Sequence, residues 1–149
     1  MTAEQLTFLL AVVGYAGLTA SALLSARGRV PVRLWRATAA IIVVHVAMVW
    51  AVRYDWSWAQ ATRNGYAGVV IFHGALVLIV TSVFVGDRIR TRLILASFAI
   101  VSVGALGAVF LYEEVAVYRP VVIGLAAAGA IGLAYNRRTG GRWHRSRAT

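Results

Sequence analysis

Two histidines, His45 and His73, are the residues of this chain best placed to do chemistry. Each stands inside a long apolar run, and neither run contains an acidic residue. An ionisable side chain in such surroundings is costly to desolvate, so its presence marks a candidate site. Neutral imidazole is the commonest metal ligand in proteins, and a b-type haem takes one or two axial ligands of this kind. Met48 follows His45 by three residues, which puts both on one face of a helix. A His-x-x-Met pair facing a second histidine also suits copper, the less favoured metal here. Tyr15, in a third apolar run, lies at similar depth and is placed to donate a hydrogen bond to the same centre. The cofactor-binding candidates are therefore His45, His73 and Tyr15, and the metal-binding candidates are His45, His73 and Met48. A plainer expectation competes: each imidazole bonds across a helix pair, for about 0.6–2 kcal/mol, and Met48 only packs. Helices packed directly at about 8–10 Å leave little room for a macrocycle.

The elements that must position these residues follow from composition. The chain has 149 residues, 60% of them hydrophobic and only 13% charged, with mean hydropathy +0.76. A soluble domain carries about 25% charged residues, so an ordinary globular enzyme or soluble nucleic-acid binder is excluded. With no cysteine, disulfides, thiolate nucleophiles and cysteine-ligated clusters are excluded too. A membrane-crossing helix needs about 20 mostly apolar residues. Five segments meet or approach that length, over residues 6–26, 34–52, 66–85, 93–112 and 120–135. The reading is a single-domain, all-α bundle of five transmembrane helices, followed by a basic tail over 136–149. The last segment is short, so four spans plus a buried half-helix is the alternative. A start near Val115, with Arg119 reaching to the surface, would lengthen it.

Charge orients the bundle. All fifteen basic residues are arginines. Twelve, with the single acid Asp87, fall on one side of the five-span pattern: Arg27, Arg29, Arg33, Arg36, Arg88, Arg90, Arg92, Arg137, Arg138, Arg142, Arg145 and Arg147. The other side holds Arg53, Arg63 and Arg119 against Glu4, Asp55, Glu113 and Glu114. The arginine-rich side is expected in the cytoplasm, with the N-terminus outside. Glu4 and the absence of arginine before the first span argue against a cleaved signal peptide. The expected location is the cell (plasma or inner) membrane, crossed several times. Tyr54, Trp56, Trp58 and Tyr66 belong to the outer interface, and the connection from Arg53 to Gly65 is long enough to form a small outer cap. On this topology His45 and His73 each lie seven residues, about 10 Å, below the outer boundary.

Small residues repeat at helical spacing: Gly124, Ala128 and Gly132; Gly104 and Ala108; Gly17 and Ser21. Such stripes let helix backbones approach, and an internal contact is favoured over a subunit interface. The arginine-rich tail is expected to meet anionic lipid rather than nucleic acid. The partners expected are the lipid bilayer and either other membrane subunits or further copies of the chain. Phosphate-loop, zinc-protease and nucleophile-elbow motifs are absent.

In His45, Met48 and His73, on the second and third spans, the chain loosely resembles small multi-span b-type-haem and oxidase-assembly membrane proteins. The resemblance implies haem b as cofactor and a non-enzymatic redox or assembly role. His144 falls in the tail, so a second haem is not expected. Two other readings stand beside it: a structural subunit of a larger membrane complex, and a small transporter or channel. The lack of buried acids and of matching broken helices lowers the last.

Overall fold

A computed structural model describes residues 1–143, with side chains described to residue 136. Most of the expected basic tail, with Arg137, Arg138, Arg142, His144, Arg145 and Arg147, lies outside the described side chains. The described residues are all-helical, in the order α1 (Ala3–Ala26), α2 (Val32–Val52), α3 (Trp58–Ala61), α4 (Tyr66–Phe84), α5 (Asp87–Leu111), a 3-10 turn (Glu113–Tyr118) and α6 (Arg119–Trp143). Among them, α1, α2, α4, α5 and the run from the 3-10 turn through α6 are long and apolar enough to cross a membrane.

Local chemistry sets the helix ends. At the start of α1 the Thr2 hydroxyl accepts the Gln5 amide at 3.2 Å, and the Gln5 side chain accepts the Thr2 amide at 2.9 Å. This reciprocal pair satisfies donors that a helix start leaves open. α1 ends where Gly28 turns left-handed, at φ +73°. The Arg29 amide there reaches back to the Leu24 carbonyl and the Gly28 amide to that of Ser25, the glycine-terminated stop expected of a helix leaving the membrane. The fifth span is full length. Its 3-10 turn runs into α6 without a break, and Pro120 is tolerated in the first helical turn, where its missing N–H matters least.

Two arginines counted above only as charge also close helix ends. Arg90 is buried on α5, and its guanidinium donates to the Ser82 carbonyl (3.1 Å) and the Val85 carbonyl at the end of α4, and to the Asp87 carboxylate. Arg119 donates from Nε to the Val109 carbonyl near the end of α5 at 2.7 Å and lies over the Phe110 ring. Terminal carbonyls lack partners within their own helix, and in lipid an unmatched one is costly. Arg119 therefore tucks against α5 instead of extending away.

α1 forms the centre of the bundle, with Tyr15, Leu18 and Ala22 buried in the core. It packs closely on α2, where any side chain at Gly17 would strike Thr38 and one at Gly14 would meet Ile42 at 2.9 Å. α4 packs closely on α5, where Gly104 admits Ile71 and Phe72. On α6, Gly132 admits Leu23 of α1 and Gly129 admits Phe98 of α5, whereas Gly124 faces open space. The small-residue stripes thus make internal contacts at Gly17, Gly104 and Gly132.

α2 and α4 approach one another only loosely. Two tryptophans pin them. Near one end the indole of Trp35, fully buried, donates to the Ser82 hydroxyl at 2.8 Å. Near the other, Trp50 donates to His73 Nε2 at 3.0 Å.

The connection from Arg53 to Gly65 folds as a compact cap. Asp55 and Trp56 both adopt left-handed backbone, at φ +45° and +54°, which returns Trp56 toward α2, its amide bonding the Trp50 carbonyl at 2.9 Å. The Trp50 ring then stacks near-parallel with Trp56 and Trp58, at centroid distances of 6.3 and 6.1 Å, and meets Tyr54 edge-on.

Candidate functional site

The loose seam between α2 and α4 belongs to a cavity of about 390 Å³ to which every long helix contributes. That volume lies within the usual range for small-molecule sites, about 300–1,000 Å³. Its deep part is apolar, walled by Leu18, Ile42, Val46, Val69, Leu76 and Ile79. Toward the end that carries the aromatic cap it becomes polar, with Arg53, Gln60, Asn64 and Glu114. Arg53 and Glu114 form an ion pair there, and the Arg53 guanidinium also lies 5.8 Å from the centre of the Phe8 ring. The outer-rim acid Glu114 is thereby engaged within the chain.

Both histidines line this cavity, but their nitrogens are in different states. His45 Nδ1 lies 2.9 Å from the Thr7 carbonyl on α1. A carbonyl only accepts, so Nδ1 carries the proton. His45 Nε2 is then left with a lone pair and no hydrogen-bond partner among the described residues. His73 is engaged at both nitrogens. Nδ1 donates to the Val69 carbonyl one turn back at 2.8 Å, and Nε2 accepts the Trp50 indole N–H. The Trp50 ring meets the His73 ring edge-on at 5.7 Å. Ligation by His73 through Nε2 would require Trp50 to let go.

The other two candidates are placed differently. Tyr15 reaches the cavity wall, but its hydroxyl is bonded to Ser102 on α5 at 2.8 Å and its ring lies parallel to Phe98. Its hydrogen bond therefore joins α1 to α5 and does not serve an imidazole. Met48 is absent from the cavity wall, which His45, Val46, Val49 and Trp50 form along α2. The wall follows i, i+1, i+4 and i+5, so the residue at i+3 falls beside it. No cluster of three or more His, Cys, Asp or Glu residues occurs among the described residues.

Trp50 and Thr7 are functional neighbours that sequence reasoning missed. A signal existed for Trp50: an indole N–H about a turn inside a span needs an acceptor, and the histidine of the next span is within reach. Thr7 acts through its backbone carbonyl, which residue identity does not reveal.

Compared with known proteins, the chain matches no family model, no curated protein sequence and no solved structure.

Proposed function

We propose that this is a multi-pass integral membrane protein that holds a haem in the cavity between α2 and α4, in a non-enzymatic redox or respiratory-complex assembly role. The observation that carries the reading is the unengaged Nε2 of His45, its tautomer fixed by the Thr7 hydrogen bond, on a residue that lines an apolar cavity with a polar mouth. A neutral imidazole fixed through Nδ1–H to a carbonyl is the arrangement that metal-ligating histidines adopt. Of the residues present, His45 would hold the haem iron through Nε2. The haem would supply electron-transfer chemistry when bound. The chain's own part is to shield it from water with the valine and leucine walls and to meet its carboxylates at the mouth, where Arg53 stands. His73 is the reserve ligand, held back by Trp50.

The test is the absorbance spectrum of the full chain purified after haem-replete expression. A Soret band that His45→Ala abolishes, and that His73→Ala leaves in place, is the expected result. Loss of the band in His73→Ala as well would make the pair, not His45 alone, the attachment. No Soret band in the parent protein would sink the proposal and leave a structural subunit as the better reading.

A further inference from the structure

The ion pair at the cavity mouth joins two side chains of unequal freedom. Arg53, at the C-terminal end of α2, is 24% exposed along its side chain. Its guanidinium lies over the Phe8 ring, which packs in turn on the Tyr118 ring at a centroid distance of 5.2 Å. Glu114, on the 3-10 turn, is 64% exposed. The cation therefore has an aromatic seat, while the carboxylate reaches it from the water side. Water readily replaces the partner of an exposed charge, so such a pair holds weakly. Glu114 is free to leave at small cost, whereas Arg53 would have to give up Phe8 to follow it.

Charge at the mouth does not balance. Arg53 and Arg63 both line the cavity, and Glu114 is the one carboxylate among the described residues that do. Arg63 has no ion-pair partner among the described residues. Gln60 and Asn64 add amide groups at the same end, and the walls below are apolar. The ligand that matches both parts is an apolar body carrying a carboxylate at one end. Its carboxylate and that of Glu114 repel each other at a single guanidinium, so the two compete. We infer that Glu114 is an internal stand-in for the carboxylate of the cavity's ligand, and that loading is an exchange at Arg53. The incoming carboxylate takes the guanidinium and Glu114 returns to water. Arg53 stays paired throughout, so no half-buried charge is stranded. The inference rests on the reading of the α2–α4 cavity as a ligand site, but not on the iron. Haem, through its propionates, and a fatty acid both carry the required chemistry.

The test uses the full chain in a neutral sterol-based detergent, with native mass spectrometry and thermal shift as readouts. The probes are haemin and its dimethyl ester, and dodecanoic acid and dodecanol. An acid that binds is expected to bind about tenfold tighter than its uncharged counterpart, the scale of one charge-assisted hydrogen bond. Arg53→Gln should bring that acid down to the level of the counterpart. Glu114→Gln should do the opposite and tighten the acid about threefold, the scale of an exposed pair, while leaving the ester and the alcohol unchanged. Glu113→Gln removes equal charge from a neighbouring position off the cavity wall and should change nothing. This pattern with haemin alone identifies haem as the ligand, and with both acids it assigns the site to the whole class. With dodecanoic acid alone, the exchange stands and the haem reading falls. A Soret band with haemin and its ester binding equally would leave the haem reading standing and overturn the exchange. Unchanged or weaker acid binding in Glu114→Gln, at a melting temperature matching the parent, would make Glu114 no competitor and overturn it as well. So would equal tightening in Glu113→Gln, or failure of both acids to bind.

Discussion

The two sides of α2 are built on opposite plans. Toward α1 the contact is close, with Gly14 and Gly17 letting Ile42 and Thr38 press onto the α1 backbone. Toward α4 the helices stand apart, joined by the Trp35–Ser82 and Trp50–His73 hydrogen bonds, with the cavity between those pins. Packing without gaps is the main source of helix association in lipid, where the hydrophobic effect gives no help. The close side therefore holds the bundle together, and the open side is free to carry a ligand. The two histidines relate to this division differently. His73 takes part in the open side through Trp50, whereas His45 lines the cavity while bonding the Thr7 carbonyl of α1.

The sharpest way to break this contrast is to fill the close side. Gly17→Leu should be the most damaging change, because even its first carbon collides with Thr38. Overpacking typically costs about 1–3 kcal/mol, and a leucine against the branched Thr38 side chain, buried on α2, belongs near the top of that range. Detergent-solubilised yield and melting temperature would report it. A variant as stable as the parent would show that α1 and α2 are not closely packed.

A middle-sized effect is expected on the open side. Trp35→Phe removes one pin and should lower stability by about 0.6–2 kcal/mol, the range for interhelical hydrogen bonds in membranes. Trp50→Phe should cost no more, and it releases His73 Nε2. If the cavity holds haem, the Trp50→Phe spectrum should shift toward two-histidine ligation while the parent keeps one. Equal melting losses for Gly17→Leu and Trp35→Phe would erase the distinction between the two sides.

The smallest effect belongs to the rim. Arg53→Gln breaks the pair with Glu114, whose side chain is 64% exposed. Exposed pairs contribute about 0–1 kcal/mol, so its melting temperature should stay close to that of the parent. A large loss would mean that the rim, and not the helix contact, closes the bundle.

Much of the architecture was legible in the residues. Apolar run length identified five crossings because a helix in lipid has one rise per residue and one thickness to cover. The fifth run looked short for a physical reason: Glu113, Glu114 and Arg119 lower its hydropathy, yet the 3-10 turn carries the helix path through them. Arginine bias grouped the charges, but it did not reveal that Arg90 and Arg119 turn inward to serve carbonyls. That use depends on where the preceding helix stops, a backbone property. The histidines were found because imidazole in an apolar run stands out. Which of their nitrogens remains open was decided by the Thr7 carbonyl and the Trp50 indole, partners 38 and 23 positions away in the chain. Met48 shared the helical face by spacing, yet the cavity wall turns one residue to its side.

The backbone at Asp55 and Trp56 bears on what holds the cap over the cavity mouth. Left-handed geometry costs an L-residue about 1–2 kcal/mol, and here two non-glycine neighbours carry it together. The connection over the mouth is therefore held in a strained bend, kept in place by the two indoles, Trp56 and Trp58, that stack on Trp50. Trp50 thus serves two ends at once, bonding His73 below and stacking on Trp56 and Trp58 above, where the bent backbone needs support.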